Sequence, residues 1–433
     1  MVGQFHVRPW LKRLFIAACV VTVAIQWIVI SQRRAKGAGD FDVLREFGRR
    51  FLARENLYGG GLAYNYLPTA AMYFAPFALI SPGLGIALRY AVAVSGLCLT
   101  IRWLRIMVGR HGHQDSEKMF SIAAITLVLA SHYVIRDLDD GGLHLILLTV
   151  LVGAIFCVWR GRIALGAVWF GLATTLKAPA GLFLPFFLWK RQWRLASLTA
   201  AATVFWIIIP SVWMGHTSWW GHQQEWRHFA LESIAGNPRA GVEQNEQRVQ
   251  NQALRPALMR YLVTYPEGHS SRPSHPAYIS ILDLDPMIAR HLATGITLAL
   301  LAVCAWLRRH GYGNPADPAW LLDCSAVLIL SLLLSPITWV QHMVLIVPAL
   351  YLIVTEDRAI RRLGQPAAML MCLYVLLSLV LNREILGKAT YLLLLGYGIH
   401  TLALLVILGV ILFRRPTADW NPHRPIAPDR GRK

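Results

Sequence analysis

Long apolar segments separated by short polar ones dominate this chain. A helix that crosses a bilayer needs about 20 mainly apolar residues. The candidate spans are residues 14–32, 84–104, 119–135, 143–159, 163–177, 179–189, 195–213, 288–307, 319–334, 342–355, 366–382 and 389–413. Pro179 separates two of them, which could instead form one kinked element. A further apolar run, residues 67–80, is interrupted by Pro68 and Pro76 and predicts an interfacial or re-entrant element. The pattern predicts an all-α polytopic integral membrane protein with about 12 transmembrane helices.

Composition supports a membrane protein. Hydrophobic residues make up 56% of the chain and charged residues 15%, whereas soluble domains carry about 25% charged residues. All six cysteines lie inside apolar runs without a metal-ligand spacing, so they are interpreted as small buried hydrophobic residues.

The positions of Lys and Arg predict the orientation. More than half of these 42 residues lie in segments that are cytoplasmic if the N-terminus is inside, as the positive-inside rule requires. The prediction is a multi-pass protein of the plasma or inner membrane with both termini cytoplasmic. Residues 1–413 form one catalytic domain, 33–83 a first outer loop with interfacial helices, 214–287 a large outer loop and 414–433 a disordered basic cytoplasmic tail. The clustering of the charges between spans excludes a nucleic-acid partner.

Three places on the predicted outer side concentrate ionisable residues. Asp40 follows the first span, where a carboxylate could act as a general base or as a helix N-cap. The run from Arg136 to His144 holds three carboxylates, which suggest a metal site or, with better support, a solvated turn. Lys177 ends an apolar segment and could reach to the interface or hold a phosphate. His342 follows another span and could be a packing residue or a phosphate ligand.

Tryptophans mark the large outer loop. Trp219, Trp220 and Trp226 follow Trp213 at the loop's start. Such residues anchor proteins at the membrane interface, and they also stack on sugar rings. The anchor is the favoured interpretation.

A series of short motifs follows one order along residues 39–348. Each motif is weak alone, and their order and spacing make the combination specific. They are Gly39-Asp40-Phe41-Asp42-Val43-Leu44, Asn56-Leu57-Tyr58, Tyr64-Asn65-Tyr66-Leu67-Pro68, Leu176-Lys177-Ala178-Pro179, Asn251-Gln252-Ala253-Leu254 and Ser335-Pro336-Ile337-Thr338-Trp339-Val340-Gln341-His342. Together they resemble glycosyltransferase family 87 of the GT-C superfamily, the polyprenyl-phosphate-mannose-dependent α-mannosyltransferases.

The resemblance implies a GT-C type fold and a hexose transfer, with mannose as the expected sugar. A polyprenyl-phosphate-linked donor would give its sugar to a lipid- or glycan-linked acceptor on the outer face, with inversion at the anomeric carbon and without a metal. Asp40 matches the family's catalytic carboxylate, and the candidate ligands of the donor phosphate are Lys177, His342 and Arg260. The candidate substrate-binding residues are Asp42, Tyr58, Tyr66, Asp140, His144, Asn251, Gln252, Trp339 and Gln341.

Four departures from the family pattern stand out. Leu44 replaces a usual Tyr, Leu67 a usual Pro, and Gln341 the first His of a pair. The segment 140–144, Asp-Gly-Gly-Leu-His, replaces the usual Asn-Gly-Gln-x-Asn, which leaves the sugar and the acceptor open.

Two other classes of function are compatible with a polytopic chain. One is a lipid-linked-sugar flippase or polymerase, and the other is a transporter. A transporter usually shows broken helices in matching positions of two repeats, whereas this sequence shows one broken pair. Only the transferase needs a carboxylate where donor and acceptor meet.

Overall fold

A computed structural model describes residues 9–35, 40–59, 66–109, 116–235, 248–309, 317–355 and 364–413. The predicted tail 414–433, together with Gly39, Tyr64 and Asn65 of the first-loop motifs, lies outside these ranges. Every regular element within them is helical, which confirms the all-α prediction. The α-helices are α1 (Pro9–Ala35), α2 (Asp40–Ala53), α3 (Pro68–Ala78), α4 (Pro82–Val108), α5 (Ser116–Asp140), α6 (His144–Trp159), α7 (Ile163–Leu176), α8 (Phe183–Trp189), α9 (Trp193–Ile208), α10 (Ser211–Met214), α11 (His216–Ala235), α12 (Leu254–Leu262), α13 (Pro286–Leu307), α14 (Pro318–Leu333), α15 (Val347–Thr355), α16 (Gly364–Val375), α17 (Arg383–Gly396) and α18 (Ile399–Leu412). Short 3-10 helices span Ala178–Leu182 and Val340–Ile346, and a π-helical turn spans Leu376–Val380.

Helix starts follow local sequence chemistry. Pro82 is in the first turn of α4, where its missing N–H costs nothing, and the Ser81 hydroxyl accepts from Leu84 N–H. Asp285 and Asp317 cap α13 and α14 in the same way, each followed by proline. These polar residues therefore set where the apolar helices begin.

Two helices form the centre of the protein. Most residues of α6 and nearly every residue of α15 are buried. Helix α6 packs on α4 and α7, and α15 packs on α5 and α18. By contrast, α1 and α13 carry exposed apolar side chains such as Val20 and Trp306. Exposed apolar surface of this extent is typical of helices that face lipid.

Several helices have the composition of membrane spans. Five are long and apolar enough to cross a bilayer, or six if the bent pair Pro366–Val380 and Arg383–Gly396 counts as one span. Six further apolar helical segments are shorter. The chain is a multi-pass membrane protein, and the count of 12 spans stays a prediction.

The structure divides the predicted span 389–413. Gly398 adopts the left-handed conformation (φ 64°) and separates α17 from α18. Gly387 (φ 76°, ψ 167°) kinks α17 itself, just before the predicted start of the span at residue 389. Glycine takes this conformation without the steric cost that a side chain adds. The single helix predicted from the apolar pattern was therefore wrong.

The predicted first outer loop contains two closely packed helices, α2 and α3. A Cβ at Gly48 would lie 2.5 Å from the backbone carbonyl atoms of Phe74. Arg45 of α2 donates to the carbonyls of Phe77 (3.2 Å) and Ile80 (3.0 Å) at the end of α3. Most of α3 is buried, so the proline-containing run 67–80 is a packed helix that fixes α2 and, with it, Asp40.

Candidate functional site

Two interrupted helices meet at the centre of the candidate site. After α7, Lys177 is extended (φ −151°, ψ 110°) and Pro179 lies in the following 3-10 helix. After α14, an irregular segment with Pro336 leads into the second 3-10 helix, which contains His342. Within a membrane, non-helical backbone is tolerated where it is buried in protein or lines a cavity. The two breaks therefore mark this region as a site.

The Lys177 ammonium lies between two histidines. Its Nζ is 2.7 Å from Nε2 of His144 and 3.0 Å from Nδ1 of His342, and the two imidazole rings are 3.9 Å apart between centroids. The Trp339 backbone N–H donates to Nδ1 of His342 at 3.2 Å. That bond requires Nδ1 to be an acceptor, and the Lys177 ammonium lies over the same ring, 3.2 Å from its Nε2.

A small pocket opens against this group. Lys177, His342 and the hydroxyl-bearing Ser331, Ser335 and Thr338 form its polar side, and apolar residues such as Leu147 form the rest of its wall. The three hydroxyls donate to backbone carbonyls of neighbouring residues, so the group in this pocket that suits an oxyanion is the Lys177 cation.

A buried ion pair lies behind His144. Asp137 and Arg89 are both fully buried, and Arg89 Nη2 is 3.2 Å from Asp137 Oδ2. The interpretation of this run as a solvated turn was wrong for Asp137, because the carboxylate points into the protein. Sequence reasoning did not select either residue. Arg89, a cation inside a predicted span, was the available signal.

Asp40 is the first residue of α2, and part of its side chain is exposed to solvent. Protein on its other sides raises its pKa to about 6, mainly by desolvation and further through Asp140 and Asp137, while Lys177 and Arg89 lower it. The carboxyl group thus lies within electrostatic range of the Lys177 group. A carboxylate with a pKa near 6 is a stronger base than an ordinary one and is still mainly ionised at neutral pH.

Other predicted residues surround Asp40 and His342. Tyr58 is buried and donates its hydroxyl to the Tyr66 carbonyl at 2.7 Å. Asp42 and Asp140 are half-buried near Asp40, and Trp339 and Gln341 are half-buried beside His342. These places are compatible with the predicted substrate-binding roles, which remain predictions.

Asn251 and Gln252 direct their amides at the backbone. Asn251 donates to Pro336 O (2.8 Å) and accepts from Thr338 N–H (2.9 Å). Gln252 donates to Leu395 O (2.9 Å) and accepts from His400 N–H (3.3 Å). These bonds connect the segment that precedes His342 to the start of α18, so both residues stabilise the backbone that forms the site.

Arg260 lies on α12, away from the Lys177 group. Its fully buried guanidinium donates to Gly396 O at 3.0 Å, and the described hydrogen bonds do not connect it to Lys177 or His342. Its role as a phosphate ligand stays a prediction without support from these contacts.

Two of the loop tryptophans form hydrogen bonds with the backbone of other segments. Trp213 Nε1 donates to Phe51 O at 3.1 Å and Trp219 Nε1 to Ile207 O at 2.8 Å. Trp219 is buried, whereas Trp213 and Trp220 are exposed. Their anchoring at the membrane interface stays a prediction.

A second charged cluster lies at the other end of α14. Asp323 binds Lys190 Nζ at 2.8 Å and also pairs with Arg308. About 15 Å of helix separates Asp323 from the end of α14 that faces the site. This cluster joins α8, α13 and α14 and takes no part in the pocket.

Comparisons with known proteins point to one family. The family model for glycosyltransferase family 87 matches residues 64–336. The chain is 28% identical over 348 residues to a polyprenol-phosphate-mannose-dependent alpha-(1-2)-phosphatidylinositol mannoside mannosyltransferase of Mycolicibacterium smegmatis, with 75% of this chain and 70% of the relative covered. No solved structure matches the chain.

The matched region includes most of the site, from Tyr66 through Arg89, Asp137, His144 and Lys177 to Ser335. It spans more than half of the chain and contains the first helix break and the beginning of the second, while Asp40, Thr338 and His342 lie outside it. On this match and on its helical, multi-pass architecture, the chain belongs to glycosyltransferase family 87.

Proposed function

We propose that this membrane glycosyltransferase, a hexosyltransferase, moves mannose from a polyprenyl-phosphate-linked donor to a lipid- or glycan-linked acceptor on the outer face of the membrane. The observation that carries the proposal is the Lys177 ammonium at the wall of a pocket, between His144 and His342, with the basic carboxylate of Asp40 in range. The name of the mycobacterial relative supports the donor and a lipid acceptor. Family membership favours the transferase over a flippase, a polymerase or a transporter.

The proposed reaction is a single displacement. Asp40 takes the proton of an acceptor hydroxyl, and the hydroxyl oxygen bonds to the anomeric carbon as the bond from that carbon to the phosphate oxygen breaks. The configuration at the carbon is therefore inverted. The leaving polyprenyl phosphate gains a negative charge, which a preorganised cation stabilises most effectively in a site of low polarity. Lys177 is placed to do this.

The remaining polar groups define the substrates. Asp140 and Asp42 lie near Asp40 and would accept hydrogen bonds from sugar hydroxyls, while Lys177 would donate to the phosphate oxygens. The apolar residues of the pocket would contact the first units of the lipid. A cation beside an apolar wall supports a donor with a charged head and an apolar tail.

The test uses purified protein in nanodiscs with radiolabelled polyprenyl-phosphate-mannose and a membrane glycolipid extract. Wild type should transfer label to a product whose anomeric configuration is opposite to that of the donor, and Asp40→Asn should reduce the rate by about 10²- to 10⁴-fold. Glu46→Gln, which removes a carboxylate from the same helix, is the control and should remain active. Turnover by Asp40→Asn at the wild-type rate would contradict the base assignment. Transfer from donors of other hexoses, but not from the mannose donor, would contradict the sugar.

A further inference from the structure

Asp137 is a buried carboxylate that the proposed reaction does not use. Its Oδ1 accepts from the backbone N–H of His144 (3.2 Å) and lies 3.0 Å from Nδ1 of the same residue. Its Oδ2 accepts from Leu145 N–H (3.2 Å) and from Arg89 (3.2 Å). Arg89 also donates to the carbonyls of Asp137 and Gly142. All these groups are buried, so the network is a rigid support without solvent.

This network determines which nitrogen of His144 carries the proton. An ionised carboxylate only accepts hydrogen bonds, so the 3.0 Å contact requires Nδ1 of His144 to be protonated. In a neutral imidazole, Nε2 is then an acceptor. Lys177 has only donors, and its Nζ lies 2.7 Å from that nitrogen. The opposite tautomer would place two donors against each other.

The turn between α5 and α6 is built to hold this arrangement. Gly141 has φ 72°, and a Cβ there would lie 3.0 Å from Cβ of Phe41, the neighbour of Asp40. A Cβ at Gly142 would lie 2.9 Å from Asp137 Oδ1 and 3.1 Å from His144 Nδ1. Gly142 therefore leaves the space in which Asp137 and His144 approach, and Gly141 allows the turn to contact the helix that carries Asp40.

We propose that Asp137, held by Arg89, is a positioning residue that fixes His144 as an acceptor toward Lys177, so that the ammonium stays at the pocket wall with its other protons free for His342 and the donor phosphate. The charges agree with this role. Arg89 balances Asp137, His144 is neutral, and the positive charge of Lys177 remains for the ligand. The phosphate ligand rests on the proposed function, whereas the tautomer of His144 does not.

The first experiment reads the tautomer directly. Full-length protein labelled with ¹⁵N-histidine gives separate signals for protonated and unprotonated ring nitrogens, and His144→Gln identifies the signals of His144. Wild type should show Nδ1 protonated and Nε2 unprotonated. Wild type with the proton on Nε2 would overturn the proposal, whether or not the enzyme transfers mannose. In Asp137→Asn, the signals should move toward the other tautomer, and unchanged signals would also overturn it.

The second experiment measures coupling to Lys177. Binding of polyprenyl phosphate in nanodiscs is compared for wild type, Lys177→Met, Asp137→Asn and the double variant. If Asp137 acts through Lys177, each single variant should weaken binding about 10-fold or more and the double variant should bind no worse than Lys177→Met. Losses that multiply in the double variant would show an independent structural effect and contradict the proposal.

Two further variants separate positioning from general destabilisation. Asp323→Asn removes an equally buried carboxylate with an arginine partner at the far end of α14, and it should lower thermal stability without weakening phosphate binding selectively. His144→Gln offers an amide oxygen near the place of Nε2. It should retain part of the binding and make Asp137→Asn nearly silent in that background, and a full Asp137→Asn effect there would contradict the relay. If wild type binds polyprenyl phosphate but transfers no mannose, the proposed function fails while the positioning role stands.

Discussion

Gly48 of α2 and the backbone of Phe74 in α3 are in contact without room for a side chain, since a Cβ on Gly48 would lie 2.5 Å from the Phe74 carbonyl atoms. Gly48→Ala should therefore push α2 off α3, lower the free energy of unfolding by about 1–3 kcal/mol, and displace Asp40. Thermal unfolding in detergent and the transfer rate should both decrease. The control is Gly221→Ala in α11, where a Cβ would meet open space. If Gly48→Ala were as stable and as active as this control, the close packing of α2 on α3 would be contradicted.

The acid limb of the pH profile should report Asp40. The base must be ionised, so kcat/KM for the acceptor should fall about tenfold per pH unit well below a pKa of about 6 and level off above it. Asp140 raises this pKa, and Asp140→Asn should therefore move the limb to lower pH. A limb that stays in place in this variant would contradict the electrostatic link between the two carboxyl groups.

Asp40 should also contribute to the pH dependence of stability. Folding raises its pKa above the ordinary value, so the folded state binds the proton more tightly than the unfolded state, and the contribution of this group to stability decreases as the pH rises from about 4 to 6. At neutral pH, Asp40→Asn should keep or raise the unfolding temperature while transfer is lost. A lower unfolding temperature for this variant would indicate a structural role, such as the helix cap.

Lys177→Met should weaken the use of the donor more than that of the acceptor. Loss of a charged hydrogen bond to the phosphate corresponds to about 1.5–3 kcal/mol, or roughly 10- to 100-fold in kcat/KM for the donor. His342→Ala should act in the same direction. The measurement varies each substrate at a saturating level of the other, and equal losses for both substrates would count against a phosphate ligand.

Asn251→Ala should act through the structure of the site. It leaves Pro336 O and Thr338 N–H without their partner, and an unpaired buried polar group costs about 1–3 kcal/mol. Thermal stability and kcat should fall together, while the Michaelis constants for donor and acceptor change to a similar extent. A selective change in one Michaelis constant with normal stability would instead support direct substrate binding.

Chelation of metal ions should leave the rate unchanged. The proposed mechanism stabilises the leaving phosphate with Lys177, a cation of the protein itself. Transfer is measured in buffer with and without EDTA. A loss of activity that a divalent cation restores would contradict this prediction.

The sequence indicated the site through breaks in its apolar pattern. Pro179 after Lys177 and Pro336 before His342 interrupt two spans, and both interruptions line the same pocket. The sequence could not show which of the carboxylates at 137, 139 and 140 are buried, because residues this close on one helix differ only in the direction of their side chains. Asp137 and Asp139 are both buried, and Asp137 pairs with Arg89, 48 residues earlier.

Two further features could not be predicted from a pattern of apolar residues. The division of 389–413 rests on the left-handed conformation of Gly398, and its neighbours on both sides are as apolar as a continuous span. The amides of Asn251 and Gln252 matched a family motif and were assigned to substrate. Their partners are carbonyl and N–H groups of distant backbone, which depend on tertiary packing.

The turn at Gly141 and Gly142 bears on how mutational data for this protein should be interpreted. Neither residue has a side chain that could touch a sugar or a phosphate, yet a methyl group at either position would meet Phe41 or the Asp137–His144 pair. A saturation survey of the chain would therefore find these two glycines as intolerant to replacement as Asp40. Intolerance at this turn would measure the geometry behind the reacting groups, and a functional map drawn from such a survey alone would include residues that contact neither substrate.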